Sequence, residues 1–109
     1  LNEVKARQLF QNLIENAYKY RDKNKKSFIN IDWEENDDYY QFMIQDNGIG
    51  IEKQYHEIIF EAFKKINNRA DSSGIGLFII KKIITSYGGK IWIESEIGMG
   101  TTFYFTILK

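Results

Sequence analysis

Cysteine is absent from this chain. Neither a disulfide framework nor a thiolate metal centre can therefore form, and a reducing compartment is implied. Histidine is nearly absent: His56 stands alone, so a zinc site has no second imidazole to recruit. Net charge is missing as well, because 15 Lys and Arg cancel 15 Asp and Glu. No overall field draws the chain to nucleic acid or to a membrane surface. Long apolar runs are lacking too, since lysines break each one within a few residues; no segment could span a bilayer and none resembles a signal peptide. These residues describe a soluble domain, and they leave membrane attachment of any longer protein open. What is present is an ordinary globular composition, 43% hydrophobic and 28% charged over 109 residues, enough for one core and too little for two domains. Any binding must come from a local site.

From Glu3 to Arg21 the apolar positions Ala6, Leu9, Phe10, Leu13, Ile14, Ala17 and Tyr18 recur at helical spacing, which predicts a long amphipathic helix ended by "DKNKK". "SFINIDWEE" then alternates, with Ile29, Ile31 and Trp33 on one side, and "YYQFMIQ" alternates again after the polar turn "NDD". These two segments predict an antiparallel hairpin. Tyr55, Ile58, Ile59, Ala62, Phe63 and Ile66 return to helical spacing, and the polar "NNRADSSG" reads as an exposed loop. A third helix is expected from about Ile75 to Tyr87, stopped by Gly88 and Gly89. Two last strands, "KIWIES" and "TTFYFTIL", flank the turn "EIGMG". With no internal repeat and no low-complexity tract, the order predicts an α+β class, a two-layer α/β sandwich with helices on one face of a sheet. The other sheet face must be polar or covered by a partner.

Residues 46 to 51, "DNGIGI", pose the functional question. An Asn-Gly step after an alternating stretch is a strong signal for a two-residue hairpin turn. Here, however, a strand leads into a helical pattern rather than a second strand, so the glycines serve either a left-handed turn or a close backbone approach. Familiar nucleotide motifs do not fit. "GIGIEK" has two of the three glycines of a dinucleotide fingerprint, and "GGKI" lacks both the upstream glycine of a P-loop, where Ile84 stands, and the hydroxyl after Lys90. No serine triad is in sight. The pair His56-Glu57 has the look of a phosphorylatable histidine, but a partly exposed helix residue accounts for it.

On the first helix, Asn12, Asn16 and Lys19 fall within roughly 60° of one another at about 100° per residue. Two carboxamides and an ammonium thus line one rim of the apolar stripe. Taken with the glycine segments, this arrangement resembles the ATP-binding catalytic domain of sensor histidine kinases, a branch of the superfamily shared with the gyrase B subunit, the ninety-kilodalton heat-shock chaperones and MutL. The resemblance rests on four motifs in order: "NLIENAYKY" for the N box, "DNGIGI" for the first glycine box, "IFEAF" for the F box and "SSGIGLFIIKK" for the second glycine box. "GGKIWIESEIGMGTTFYF" resembles the closing strand pair.

The resemblance implies a Bergerat-type fold with a mixed, mostly antiparallel sheet and three helices on one face. It implies that ATP and magnesium are bound, and that the γ-phosphoryl passes to a histidine on a separate dimerisation domain in two-component signalling, with a response regulator as the further partner. Asp46 would accept from the adenine amino group, and Gly48 and Gly50 would shape the pocket floor. Asn16 would give an oxygen to magnesium, Lys19 would reach a phosphate, and Tyr20 would pack near the nucleoside. Ile51 and Leu77 join the ATP-binding set. Lys64 to Ser73 would form a lid carrying Arg69, while Ser73, Gly74 and Gly76 would present helix amides to phosphate. Thr101 or Thr102 would close the adenine side, and Phe60 and Phe63 would pack the lid base. Ser72 stands where the family often has glycine, which implies a stiffer lid. Relatives that hydrolyse ATP carry a glutamate where this chain has Asn12, so transfer to a protein nucleophile is favoured over hydrolysis. The domain would be cytoplasmic and excised from a longer chain, the dimerising helices and a preceding edge strand lying outside it. A nucleotide-responsive interaction module and an ATPase clamp are the competing classes.

Overall fold

The computed structural model describes residues 2–61 and 76–109. The first helix, α1, spans Glu3–Lys19. Asn2 caps it, its side-chain oxygen accepting from the Lys5 amide at 2.8 Å. Glu3 in the first turn and Lys19 in the last both oppose the helix dipole. Leu9, Leu13 and Ala17 form the buried stripe.

Strands β1 (Ile29–Glu35) and β2 (Tyr39–Asp46) form the expected antiparallel hairpin. Asn36 makes its turn, the side-chain oxygen accepting from the amides of Asp38 and Tyr39. The second helix, α2, runs Gly76–Ser86. It ends where the Gly89 amide reaches back to the Ile84 carbonyl and Gly88 takes a positive φ of 77°. Strands β3 (Ile91–Glu96) and β4 (Gly100–Leu108) follow. The sheet order is β1-β2-β4-β3, and each of its pairings is antiparallel.

The architecture is α+β, with α1 and α2 packed on one face of the sheet. Phe103 and Phe105 of β4 are fully buried with Leu9, Leu13, Ile44, Ile80 and Ile84. Each such side chain contributes about 1.5–3 kcal/mol by leaving water. Phe10 anchors α1 to the sheet centre by edge-on contacts with Phe42 and Phe105, 5.7 and 5.6 Å between ring centroids. On the opposite face Trp92 stacks on Tyr104 at 5.5 Å.

One expected element differs. The described part of the second helical pattern is two separate 3-10 turns, Lys53–Tyr55 and Ile58–Phe60. Neither turn has a side-chain cap, and Glu61 takes an extended backbone (φ −84°, ψ 143°), which stops a helix from passing through it. Ile59 and Phe60 are adjacent and both buried, which a single helical stripe would not require. Ala62, Phe63 and Ile66 lie outside the described residues. Among those described, no helix is long and apolar enough to cross a membrane.

Candidate functional site

Strand β2 ends at Asp46, two residues beyond the buried Ile44, so its side chain points to the helix side of the sheet. One carboxylate oxygen, Oδ1, accepts from the Gly48 amide at 2.9 Å and from the Thr101 amide at 3.2 Å. Burial pushes this carboxyl above its ordinary range, and the two amide bonds pull the other way. Both donors converge on Oδ1, and neither of these bonds uses Oδ2.

The segment after Asp46 is not a hairpin. It is wedged between the end of α1 and the β3–β4 turn: the Ile49 amide donates to the Tyr20 carbonyl at 3.0 Å, and the Ile49 carbonyl accepts from the Gly98 amide at 2.9 Å. A β-carbon on Gly48 would stand 2.5 Å from the Tyr20 carbonyl oxygen. Gly50 has φ +81°, and a β-carbon there would overlap the Glu96 carbonyl. The close approach that these glycines permit is thus to the chain's own backbone on both sides, which fixes the path of the segment next to Asp46.

Three polar side chains lock this arrangement. Asn47 accepts from the Phe28 amide at 3.0 Å and donates to the Lys26 carbonyl at 3.0 Å, tying down the loop after α1. Ser95 Oγ accepts from the Ile51 amide at 2.8 Å and contacts the Gly100 carbonyl and the Thr101 hydroxyl at 2.9 and 2.7 Å. His56 Nε2 lies 2.9 Å from the Ile51 carbonyl, which can only accept, so the ring proton sits on Nε2. His56 is therefore a half-buried strut.

Tyr20, Asp46, Gly48, Gly50, Ile51 and Thr101 form one cluster, joined directly or through Ser95 and the β3–β4 turn. Thr102 does not belong to it. Alternation along β4 puts Thr101 on the same side as Phe103, while Thr102 pairs with Gln45 and Glu94 on the opposite face. Asn12 and Asn16 are half-buried on α1, Lys19 is exposed and Tyr20 half-buried at its end. Gly76 opens α2, and Leu77 in its first turn packs against the core. Phe60 meets Phe103 edge-on at 6.4 Å, a packing role. Arg69, Ser73 and Gly74, with the rest of the expected lid, lie outside the described residues. A separate groove of about 610 Å³ opens on the β3 side of Ile51, lined also by His56, Ile93 and Glu96. Neither Asp46 nor Thr101 lines it.

Sequence reasoning missed Ser95 and Asn47. Ser95 had a signal: in "KIWIES" it follows Ile91 and Ile93 at the inward period, a hydroxyl where an apolar side chain is expected. Asn47 had none beyond its turn chemistry, because its partners lie 19 and 21 residues away in an aperiodic loop.

The fold is that of a histidine-kinase-type ATPase domain. The family model described as "Histidine kinase-, DNA gyrase B-, and HSP90-like ATPase" matches residues 1–109, and the chain belongs to that family. Cyanobacterial phytochrome A of Nostoc sp. (strain PCC 7120) is 47% identical over 102 residues, covering 92% of this chain and 13% of the relative. The chain thus spans a small part of the curated relatives it matches. Among solved structures, the catalytic domain of histidine kinase ThkA superposes with a TM-score of 0.84 at 29% identity, covering 99% of this chain and 69% of that one. Full-length ShkA in complex with AMPPNP gives a TM-score of 0.79 at 27% identity, covering 94% of this chain and 21% of that one.

Proposed function

We propose that this domain binds Mg-ATP and delivers the γ-phosphoryl group to a histidine on a separate dimerisation domain, as the cytoplasmic catalytic half of a two-component sensor kinase. Asp46 carries the reading. A half-buried carboxylate with one oxygen held by two backbone amides offers its other oxygen as a fixed acceptor, which suits the amino group of adenine and repels the 6-oxo group of guanine. ShkA, solved with AMPPNP, supports an adenine nucleotide as the ligand of this fold.

The donor set on α1 suits magnesium. Among the described residues no three His, Asp or Glu side chains converge, so the ion would be held by the Asn16 amide oxygen with phosphate oxygens and water, and would neutralise phosphate charge. Lys19 would add a mobile positive charge, and the amides opening α2 would face the phosphates. In the reaction, an imidazole nitrogen forms a bond to the γ-phosphorus as the bond to the bridging oxygen breaks, releasing ADP and a proton. Such a transfer needs mainly positioning and charge stabilisation. Asn12, an amide with no useful basicity, leaves water unactivated at the position where hydrolytic relatives hold a glutamate. A response regulator would then receive the phosphoryl group.

The test joins the domain to the dimerising helices of its longer protein and follows γ-labelled ATP. Acid-labile, base-stable phosphate on histidine is the expected product. Nucleotide binding without phosphohistidine would replace the kinase by a nucleotide-driven switch, and steady phosphate release without an acceptor would point to an ATPase clamp.

A further inference from the structure

We infer that Ser95 is a positioning residue for adenine recognition, setting the Thr101 hydroxyl as a hydrogen-bond acceptor beside Asp46. The inference rests on the adenine-binding reading above. Ser95 has one proton and three partners. The Ile51 amide donates to Oγ at 2.8 Å, which occupies a lone pair. The Gly100 carbonyl, 2.9 Å away, can only accept, so it takes the serine proton. In the 2.7 Å contact with Thr101 Oγ1, the threonine must then be the donor.

That direction matters at the ligand. With its proton committed to Ser95, Thr101 Oγ1 presents only lone pairs, and its own amide is already given to Asp46 Oδ1. Asp46 Oδ2 and Thr101 Oγ1 are then both acceptors. An exocyclic amino group, with two N–H donors, satisfies such a pair. A 6-oxo group does not, and leaves the acceptors facing a third one. Without the Ser95 hydroxyl, the Thr101 proton is released and rotates toward the ligand, so a 6-oxo purine finds a donor where it had met a lone pair. The same serine holds the Ile51 amide, so it links β3, the glycine segment and the start of β4 through one oxygen.

Calorimetric titration of the domain with ATP and with inosine triphosphate, whose purine carries a 6-oxo group, tests this. The wild type should prefer ATP. Ser95→Ala should narrow the ATP-to-ITP affinity ratio about tenfold, about the worth of one hydrogen bond, while Ser95→Thr, which keeps the hydroxyl, should restore it. Thr101→Val keeps the side-chain shape, lacks the hydroxyl and should narrow the ratio similarly. The double variant should add nothing further, because the two residues act through one bond. An unchanged ratio in Ser95→Ala or Thr101→Val, or an equal loss for both nucleotides, overturns the assignment. A wild type that binds neither nucleotide overturns the adenine reading itself, a distinct result. Should Ser95→Ala fail to fold, Thr101→Val decides alone.

Discussion

Asparagine at position 46 changes one oxygen of the site into a donor and removes one charge. In Asp46→Asn the amides of Gly48 and Thr101 still need an acceptor, and they hold the side-chain oxygen where Oδ1 stood, at about the same 2.9 and 3.2 Å. The new NH₂ must then occupy the Oδ2 position and face the ligand. For ATP this removes a charge-assisted hydrogen bond, worth about 1.5–3 kcal/mol, and sets two donors against each other at a further cost of about 1–3 kcal/mol. Asp46 is only half-buried, so the lower ends apply. The expected loss is about 2.5 kcal/mol, or ~70-fold in Kd. Inosine triphosphate, with an acceptor at that position, should instead gain affinity relative to ATP.

Stability should move the other way. Burial raises the Asp46 carboxyl above the ordinary value near 3.8, so the folded state binds the proton more tightly than the unfolded chain. The contribution of that proton is complete below the ordinary value and is lost as pH rises through the higher folded one. Asparagine has no charge to bury. Thermal unfolding should therefore show Asp46→Asn melting above the wild type at pH 7, the gap closing toward pH 3. Titration of both nucleotides completes the assay. ATP affinity within a few-fold of wild type, or equal losses for ATP and ITP, would refute the acceptor role, and a variant less stable at pH 7 would refute the burial argument.

Asn16→Ala should weaken nucleotide binding in the presence of magnesium and leave magnesium-free binding nearly unchanged; equal losses in the two conditions contradict a role as metal ligand. Gly50→Ala should destabilise the domain by about 1–3 kcal/mol, since its φ of +81° disfavours any β-carbon and the Glu96 carbonyl occupies the space one would need. A melting temperature within a degree of wild type would show that the segment moves aside freely. Ile84→Ala, at a fully buried position of α2, should cost about 2–5 kcal/mol in urea unfolding with an unchanged slope.

Periodicity reported the elements wherever one face of an element is covered evenly. The stripe of Leu9, Leu13 and Ala17 located α1, and the alternation of β4 located one of the two central strands. It failed at Ile58 to Phe60, where three adjacent apolar residues supply helical spacing by accident and the backbone follows the core through short turns. It also says nothing about whether a neighbour is present. Ile29, Ile31 and Trp33 alternate as core residues would, yet Trp33 is 55% exposed, because α1 packs over the sheet centre and β1 lies at its edge. Asp46 was legible through its motif, but its two amide donors were not, since the Thr101 amide is 55 residues away and is brought near only by the pairing of β2 with β4.

The choice between Thr101 and Thr102 marks the boundary between these two kinds of information. Phe103 and Phe105 must face the core, and a strand has a period of two, so Thr101 shares their side and Thr102 does not. That step uses nothing beyond the sequence of one strand. The same parity puts Ser95 inward with Ile91 and Ile93, and pairing Ser95 with Thr101 then needs only the register of the β3–β4 hairpin. What no local pattern supplies is the third partner, the Ile51 amide 44 residues away. The hydroxyl pair is thus a property of one hairpin, and on the adenine reading it would join a binding site only because the glycine segment is carried across to meet it.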